Sequence, residues 1–193
     1  MRREALKHRS VETFKRLSVK KLKRSSAEGA SRRAASTLKR FSASTISIAN
    51  RQRTKKINTR LFKQVLAAAL DELKVEHVEL GIRLVGATEM ARVNWQFLQH
   101  EGSTDVITFD HSDGPVGAGH SIHGELFICM DDAVAQAREF RTTWQAEIVR
   151  YGVHGILHLL GYDDLEPGLR RRMKREENRL VRRLTARFSL AEL

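Results

Sequence analysis

The chain has 193 residues, 41% of them hydrophobic, and a formal net charge of +12. This length favours one domain, and a core of about 150 residues can bury enough apolar surface to fold alone. The single cysteine, Cys129, excludes an internal disulfide and a cysteine-ligated zinc site, and no apolar run is long enough to cross a membrane. We therefore expect a soluble protein from a reducing compartment, with no membrane partner.

Most of the positive charge lies at the amino terminus. Residues 1–43 hold fourteen lysines and arginines against three acids, a net charge of +11, whereas residues 44–193 hold twenty-one against twenty. The first segment is rich in serine and alanine and has few large apolar residues, which predicts a disordered basic extension. Residues 44–193 are predicted to form the folded domain.

Three interpretations of the basic extension are open. Clustered lysines and arginines are typical of an RNA-binding arm. An arginine-rich, serine-rich and acid-poor segment is also typical of an organelle transit peptide, and a dispensable extension is the third interpretation. We expect the protein in the cytoplasm, or in an organelle if residues 1–43 are a transit peptide.

Hydrophobic periodicity predicts the elements of the first half of the domain. Alternating and helical spacings indicate a strand over residues 45–50, a helix capped by Asn58 and running to Leu73, a strand from His77 to Val85, and a helix from Thr88 to about Gln99.

The second half begins with two short strands and ends in helices. The predicted elements are strands over Asp105–Phe109 and Glu125–Cys129, a helix from its cap Asp131 to about Phe140, a helix from Thr142 that carries the candidate metal ligands, and a last helix from about Pro167 to Arg187. Residues 110–123, rich in glycine and histidine, are predicted to form a loop. Because strands and helices mix without strict alternation, we expect an α/β (α+β) domain, a small mixed sheet with helices packed on it.

The stretch HGILHLLGYDD, residues 154–164, has the spacing of a metal site. His154 and His158 lie four apart, on one face of a helix. Gly161 is a natural helix terminator, beyond which the chain can bring Asp164 to the same ion. Three protein ligands leave one position of a tetrahedral zinc ion open, as in catalytic sites. The alternatives are an ordinary histidine pair, and a turn-capping Asp164 with Asp163 or a loop histidine as ligand.

The position after the first histidine separates this motif from that of zinc metalloproteases. Those enzymes carry a glutamate there, which takes a proton from the zinc-bound water, and this chain has Gly155. Peptide hydrolysis by that route is therefore not expected.

The same stretch resembles the H-G-x-L-H-L-x-G-Y-D-H signature of the YbeY family, single-strand-specific endoribonucleases of ribosomal RNA maturation. The one departure is Asp164, where the family has a third histidine. Residues 93–109 and Gly124–Ile128 are similar to two further family segments. The resemblance implies a zinc-hydrolase-like fold and a zinc-dependent endoribonuclease, with one zinc ion on His154, His158 and Asp164. It also implies single-stranded ribosomal RNA as the substrate, and ribosomal subunits or proteins as partners.

A second departure concerns phosphate binding. The family has an arginine that faces the metal cleft and handles a phosphate, and this chain has Leu98 at that position. Asn94, Thr104 and Asp105 match the family, and either form a turn or act directly at the site. Two rival functions therefore stay open: a non-catalytic ribosome-associated factor, and a metal-dependent hydrolase of another substrate.

The group that moves the proton is not visible in the sequence. Asp163 is adjacent and acidic, but it also fits a turn cap. Four loop histidines are further candidates to overhang the cleft: His100, His111, His120 and His123. RNA contacts are expected from the last helix and the extension, with Arg170, Arg171, Lys174 and Arg175 as candidates, unless this helix presents only a solvated amphipathic face.

Overall fold

The structure, a computed structural model, describes residues 17–18, 45–112 and 121–193. Of the predicted basic extension it describes only Leu17–Ser18, as a two-residue strand, and the rest lies outside the described residues. None of the helices in the described ranges is long and apolar enough to span a membrane.

Five strands and five α-helices make up the described part of the chain. The strands are β1 (Leu17–Ser18), β2 (Thr45–Asn50), β3 (His77–Val85), β4 (Val106–Asp110) and β5 (Ser121–Cys129). The helices are α1 (Thr59–Glu72), α2 (Ala87–Leu98), α3 (Met130–Phe140), α4 (Trp144–Leu159) and α5 (Pro167–Arg187), followed by a 3-10 turn at Leu190–Glu192.

The strands form one mixed sheet in the order β1-β4-β5-β3-β2. Strands β2, β3 and β5 are parallel, whereas β4 runs antiparallel to β5. Alternating residues of β3 place Val78, Leu80, Ile82 and Leu84 in the main core, as the period of two predicts. The predicted α/β (α+β) fold, a small mixed sheet with helices packed on it, is confirmed.

Strand β5 is longer than its sequence pattern predicts. It begins at Ser121 instead of Glu125, because β3 pairs along its whole length with Ser121–Cys129. The predicted loop over residues 110–123 is therefore too long at both ends, since Asp110 still belongs to β4. Residues 113–120 lie outside the described residues.

The prediction that Asp131 caps α3 is wrong. Asp131 instead stabilises the start of α2. Helix α3 begins at Met130, one residue earlier, and its first turn has no side-chain cap. Asp131 Oδ2 instead accepts a hydrogen bond from the backbone N–H of Ala87 at 2.6 Å, and Oδ1 accepts one from Thr54 at 2.7 Å. A carboxylate at a helix amino terminus is favourable wherever it comes from in the chain.

Helix α4 lies at the centre of the domain and is buried along nearly its whole length. It packs on β4 and β5 and against α1, α3 and α5. Gly155 permits this close approach, because a Cβ added there would lie 2.6 Å from Leu126 Cδ2 and 3.2 Å from Thr108 Oγ1. Gly155, the residue after the first motif histidine, therefore faces the sheet, and a glutamate side chain would not fit there.

We predict that Gly155→Ala lowers the free energy of unfolding by about 1–3 kcal/mol, because the methyl group overpacks a closed interface. Gly168→Ala in α5 is the matched control, since nothing lies within 4 Å of its added Cβ. Alanine also favours the helix there, so this control gains up to about 1 kcal/mol. Urea unfolding in EDTA measures both variants. Equal stability of the two would show that the α4–sheet contact is looser than described.

Candidate metal centre

The last two turns of α4 bring two imidazoles together in a buried position. His154 is 8% exposed and His158 is 3% exposed. Their Nε2 atoms are 3.0 Å apart, as the spacing of four residues on one helix face predicts.

In each ring, the hydrogen-bond partner of Nδ1 determines which nitrogen carries the proton. His158 Nδ1 lies 3.1 Å from the backbone carbonyl oxygen of Tyr162, which can only accept a hydrogen bond. His154 Nδ1 lies 3.0 Å from Glu177 Oε2. Both Nδ1 atoms therefore act as donors, and in the neutral imidazoles both Nε2 atoms carry lone pairs. At 3.0 Å the two Nε2 atoms require either a proton between them, with one ring as the imidazolium, or a metal ion between them.

Glu177 is an ionised acceptor in this arrangement. Burial opposes its ionisation, but the hydrogen bond from His154 and the charge of Lys174 outweigh burial and hold its pKa at about 2. Arg150 Nη1 and Lys174 Nζ also contact Glu177 Oε1, at 2.5 and 2.8 Å. A carboxylate behind a histidine is the usual partner that orients a metal-binding imidazole.

A tight turn after α4 brings a third acceptor to the pair. Gly161 has a φ of +86°, its N–H donates to His158 O, and the N–H of Tyr162 donates to Leu157 O. These two bonds define a Schellman motif, in which glycine avoids the strain of the left-handed conformation. The turn leaves Asp164 Oδ1 at 3.9 Å from His158 Nε2.

Asp164 is buried with one carboxylate oxygen unpaired. It is 3% exposed, and its Oδ1 has no hydrogen-bond partner. Burial raises the pKa of Asp164, against the opposing charges of His154 and Arg170. An acceptor left unpaired in the interior is costly, so this oxygen requires a proton or a cation. One donor atom from each of the three side chains lies within 4.8 Å of the others, an arrangement that fits a metal ion.

Asp163 has a different position from its neighbour. Its Oδ1 accepts the backbone N–H groups of Asp164 and Leu165, at 2.7 and 3.0 Å. This is the geometry of a turn cap. A role of Asp163 in proton transfer stays a prediction.

A family model described as Endoribonuclease YbeY matches residues 47–185. The chain belongs to the YbeY family. Proteins named Endoribonuclease YbeY from Chlorobium phaeovibrioides and Syntrophotalea carbinolica are 35% and 33% identical to it over 130 and 147 residues. These matches cover 67% and 74% of this chain and 84% and 97% of the two relatives.

The fold is also similar to a solved structure. The solution structure of TM1509 from Thermotoga maritima superimposes with a TM-score of 0.54 at 23% identity, covering 74% of this chain and 91% of that one. At this identity the similarity concerns the fold alone.

The phosphate-handling arginine of the YbeY resemblance is replaced by a packing residue. Leu98 ends α2 and packs against an apolar cluster on the sheet face covered by that helix, formed by Val85, Met90, Val93, Ile107, Phe109, Phe127 and Cys129. Leu98 is not among the described residues that line the cleft of the metal site. The Leu98 side chain packs in the apolar cluster instead.

The cleft beside the three YbeY-motif residues has a volume of about 890 Å³ and is lined by α3, α4, α5 and the segment that precedes β4. Of the predicted RNA-binding residues, Arg170 and Lys174 line it. Arg170 Nε donates to the backbone oxygen of Asp164 at 2.9 Å. Arg175 lines a separate groove, and Arg171 is exposed and lines neither.

The three predicted loop histidines that the structure describes do not line this cleft. His100, His111 and His123 are not among its described lining residues, and His111 and His123 contact each other with ring centroids 5.6 Å apart. His120 lies outside the described residues. Asn94 Nδ2 donates to Gly102 O at 3.0 Å, which is turn chemistry.

Glu177 is the site residue that sequence reasoning missed. It lies on the most basic helix, and the residue is only 2% exposed. A signal was present in the spacing, because residue 177 falls on the apolar stripe of α5 formed by Met173, Leu180, Val181 and Leu184. An acid on the buried stripe of a helix needs a specific partner.

Asp105 lines the cleft as well as forming a turn. Its Oδ1 accepts hydrogen bonds from Thr104 Oγ1 and the backbone N–H of Val106, both at 3.0 Å. Burial raises the pKa of Asp105 from 3.8 to about 6, although the charge of His154 opposes the shift.

This raised pKa predicts a pH-dependent effect of Asp105→Asn in the metal-free protein. Because the folded state binds the proton more tightly than the unfolded chain, wild-type stability is lost as pH rises from the unfolded pKa of 3.8 through the folded value near 6. Asparagine keeps the acceptor oxygen without the charge. The variant should exceed wild type by about 2–3 kcal/mol at pH 8 and hardly at all at pH 4. Urea unfolding in EDTA tests this, and a difference independent of pH would contradict it.

Proposed function

We propose that the chain is a zinc-dependent endoribonuclease that cuts single-stranded RNA in ribosomal RNA maturation. Membership of the YbeY family supports the reaction class, since the relatives carry the name Endoribonuclease. The observation that carries the proposal is the convergence of two imidazole nitrogens and one unpaired carboxylate oxygen.

The donor set favours zinc over the harder divalent cations. His154, His158 and Asp164 would hold the ion through two nitrogen atoms and one oxygen, a combination found in catalytic zinc sites. Magnesium and calcium prefer oxygen ligands alone. When bound, the ion supplies Lewis-acid chemistry, because it polarises a phosphate oxygen and lowers the pKa of a coordinated water.

Protein groups around the three ligands hold them ready for the ion. Glu177 keeps the proton of His154 on Nδ1, and the Tyr162 carbonyl does the same for His158. Both lone pairs therefore stay directed at one point without any rearrangement on binding.

Arg170 is our candidate for the phosphate contact that Leu98 cannot make. Its Nε is fixed by the Asp164 backbone oxygen, and its guanidinium lines the cleft beside the metal-binding residues. A planar cation in that position suits the charge that develops on phosphorus during cleavage.

The rim of the cleft supports a preference for single strands. Phe140 lines the cleft and is 58% exposed, so its ring is available to stack on a base. Only an unpaired base offers its face to such a ring, and stacking is tolerant of sequence.

Cleavage assays separate this function from its rivals. Metal-loaded protein is incubated with a single-stranded RNA, a duplex of the same sequence and an unstructured peptide, with and without EDTA. We expect EDTA-sensitive cleavage of the single strand only. RNA that is bound but never cut would favour the non-catalytic ribosome-associated factor, and no action on RNA would favour another hydrolase.

Ribosomal RNA as the natural substrate, ribosomal subunits or proteins as partners, and a cytoplasmic location belong to this proposal. They rest on the family resemblance alone.

A further inference from the structure

A second groove, about 780 Å³ in volume, lies between α4, the turn after it and α5. Its lining differs sharply from that of the metal cleft in charge. Five arginines line the groove against a single carboxylate, a formal charge of +4: Arg150, Arg172, Arg175, Arg179 and Arg182 against Glu176. The metal cleft has six carboxylates against three cations, a formal charge of −3.

This contrast shows that the cleft alone is a poor attractor of RNA. Even with a divalent ion its formal charge stays negative, so a polyanion gains little there from long-range electrostatics. Affinity for the chain of phosphates must come from a neighbouring surface. The groove is adjacent, because Arg150 and Asn178 line both it and the cleft.

Four of the groove arginines form a stripe along α5. Their spacings of three, four and three residues put Arg172, Arg175, Arg179 and Arg182 on one helix face, over about 15 Å of the axis. Arg179 is committed to ion pairs with Glu72 and Glu176. Arg172, Arg175 and Arg182 are exposed and make no ion pair with a carboxylate of the described residues, so their charge is available to a ligand.

The groove also contains an aromatic ring, that of Tyr162, which precedes Asp164 by two residues. The guanidinium of Arg172 lies 5.4 Å from the ring centroid of Tyr162. The backbone carbonyl of Tyr162 also accepts a hydrogen bond from His158, which ties the backbone of this groove residue to the metal site. Arginines beside an aromatic ring are the combination that binds single-stranded nucleic acid.

We propose that this groove holds the phosphodiester backbone of the RNA strand outside the cleft, on one side of the bond to be cut. The proposal rests on the proposed function for the reacting site, and adds a separate binding subsite on Arg172, Arg175 and Arg182. A substrate that reaches the groove should bind much more tightly than one that fills the cleft alone.

The test removes three charges from the groove of the full chain, in Arg172→Gln/Arg175→Gln/Arg182→Gln. The control removes three charges elsewhere, in Arg60→Gln/Lys63→Gln/Arg92→Gln, from exposed positions without a recorded ion pair among the described residues. Binding of an unstructured 12-nucleotide RNA is measured between about 0.05 and 0.5 M salt, a range over which counterion release dominates affinity.

The groove variant should reduce the slope of log affinity against log salt by about 2, since each single-strand phosphate contact contributes about 0.7. The same three contacts predict a loss of affinity on the order of 50-fold at 0.15 M salt. The control should keep the wild-type slope. Equal slopes for both triple variants would overturn the proposal. The proposal would also be overturned if the groove variant lost binding to anionic phospholipid vesicles while its RNA slope stayed at the wild-type value.

Cleavage separates failure of the groove from failure of the proposed function. The groove variant should raise KM for the 12-nucleotide RNA with little change in kcat, and should cut a trinucleotide as wild type does. Groove-dependent binding without any cleavage by the wild type would support the groove and reject the proposed function. Cleavage with KM unchanged in the groove variant would reject the groove and leave the proposed function standing.

Discussion

Asp164→Ala is expected to weaken zinc binding by more than about 100-fold. Loss of a residue that only orients a ligand costs about 10- to 100-fold, and Asp164 is here assigned as a ligand itself. Its unpaired, buried Oδ1 beside His158 is the basis of that assignment. Zinc affinity is measured by competition with a chromophoric chelator, on protein whose folding is checked by circular dichroism.

Two companion variants make the Asp164 result interpretable. Asp164→His should keep one zinc ion per chain, because imidazole also presents one donor atom to a tetrahedral site. Asp163→Ala should keep it as well, since Asp163 Oδ1 is occupied by two backbone N–H groups. If Asp163→Ala loses the ion while Asp164→Ala retains it, the assignment of the third ligand is wrong.

Glu177→Gln is expected to weaken zinc binding by about 10- to 100-fold. A neutral amide no longer stabilises the imidazole of His154 as a metal ligand, and it leaves Arg150 and Lys174 without their shared buried carboxylate. Thermal unfolding of the metal-free protein should therefore also shift downward, because breaking a buried charge pair costs several kcal/mol.

The neighbouring residue supplies the control for this effect. Glu176→Gln removes the same charge from the same helix, but Glu176 pairs with Arg179 at the surface, where an ion pair contributes little. Its zinc affinity should match that of wild type. A zinc affinity in Glu177→Gln equal to that of Glu176→Gln would mean that the carboxylate does not support His154.

Local spacing made the centre of the site predictable from sequence. His154, His158, Gly161 and Asp164 lie within eleven residues, and helix periodicity followed by a glycine terminator determines how they meet. The strand over His77–Val85 was equally clear, since its alternation places every second residue in the core.

Contacts between residues far apart in the chain could not be predicted from the sequence. Glu177 is 23 residues from His154. No local sequence pattern indicates that α5 directs this acid towards α4. Asp131 reads as the cap of its own helix, but the structure uses it on Ala87, 44 residues away. The start of β5 at Ser121 depends on pairing with β3 and not on its own weak alternation.

The cleavage rate of single-stranded RNA, followed while zinc is added to metal-stripped protein, tests the proposed activity most directly. The rate should be zero without zinc, rise in proportion to bound zinc, and level off at one ion per chain. His154→Ala should show no cleavage at any zinc concentration. Cleavage by the stripped protein in EDTA, or an undiminished rate in His154→Ala, would contradict a reaction that depends on zinc held by His154, His158 and Asp164.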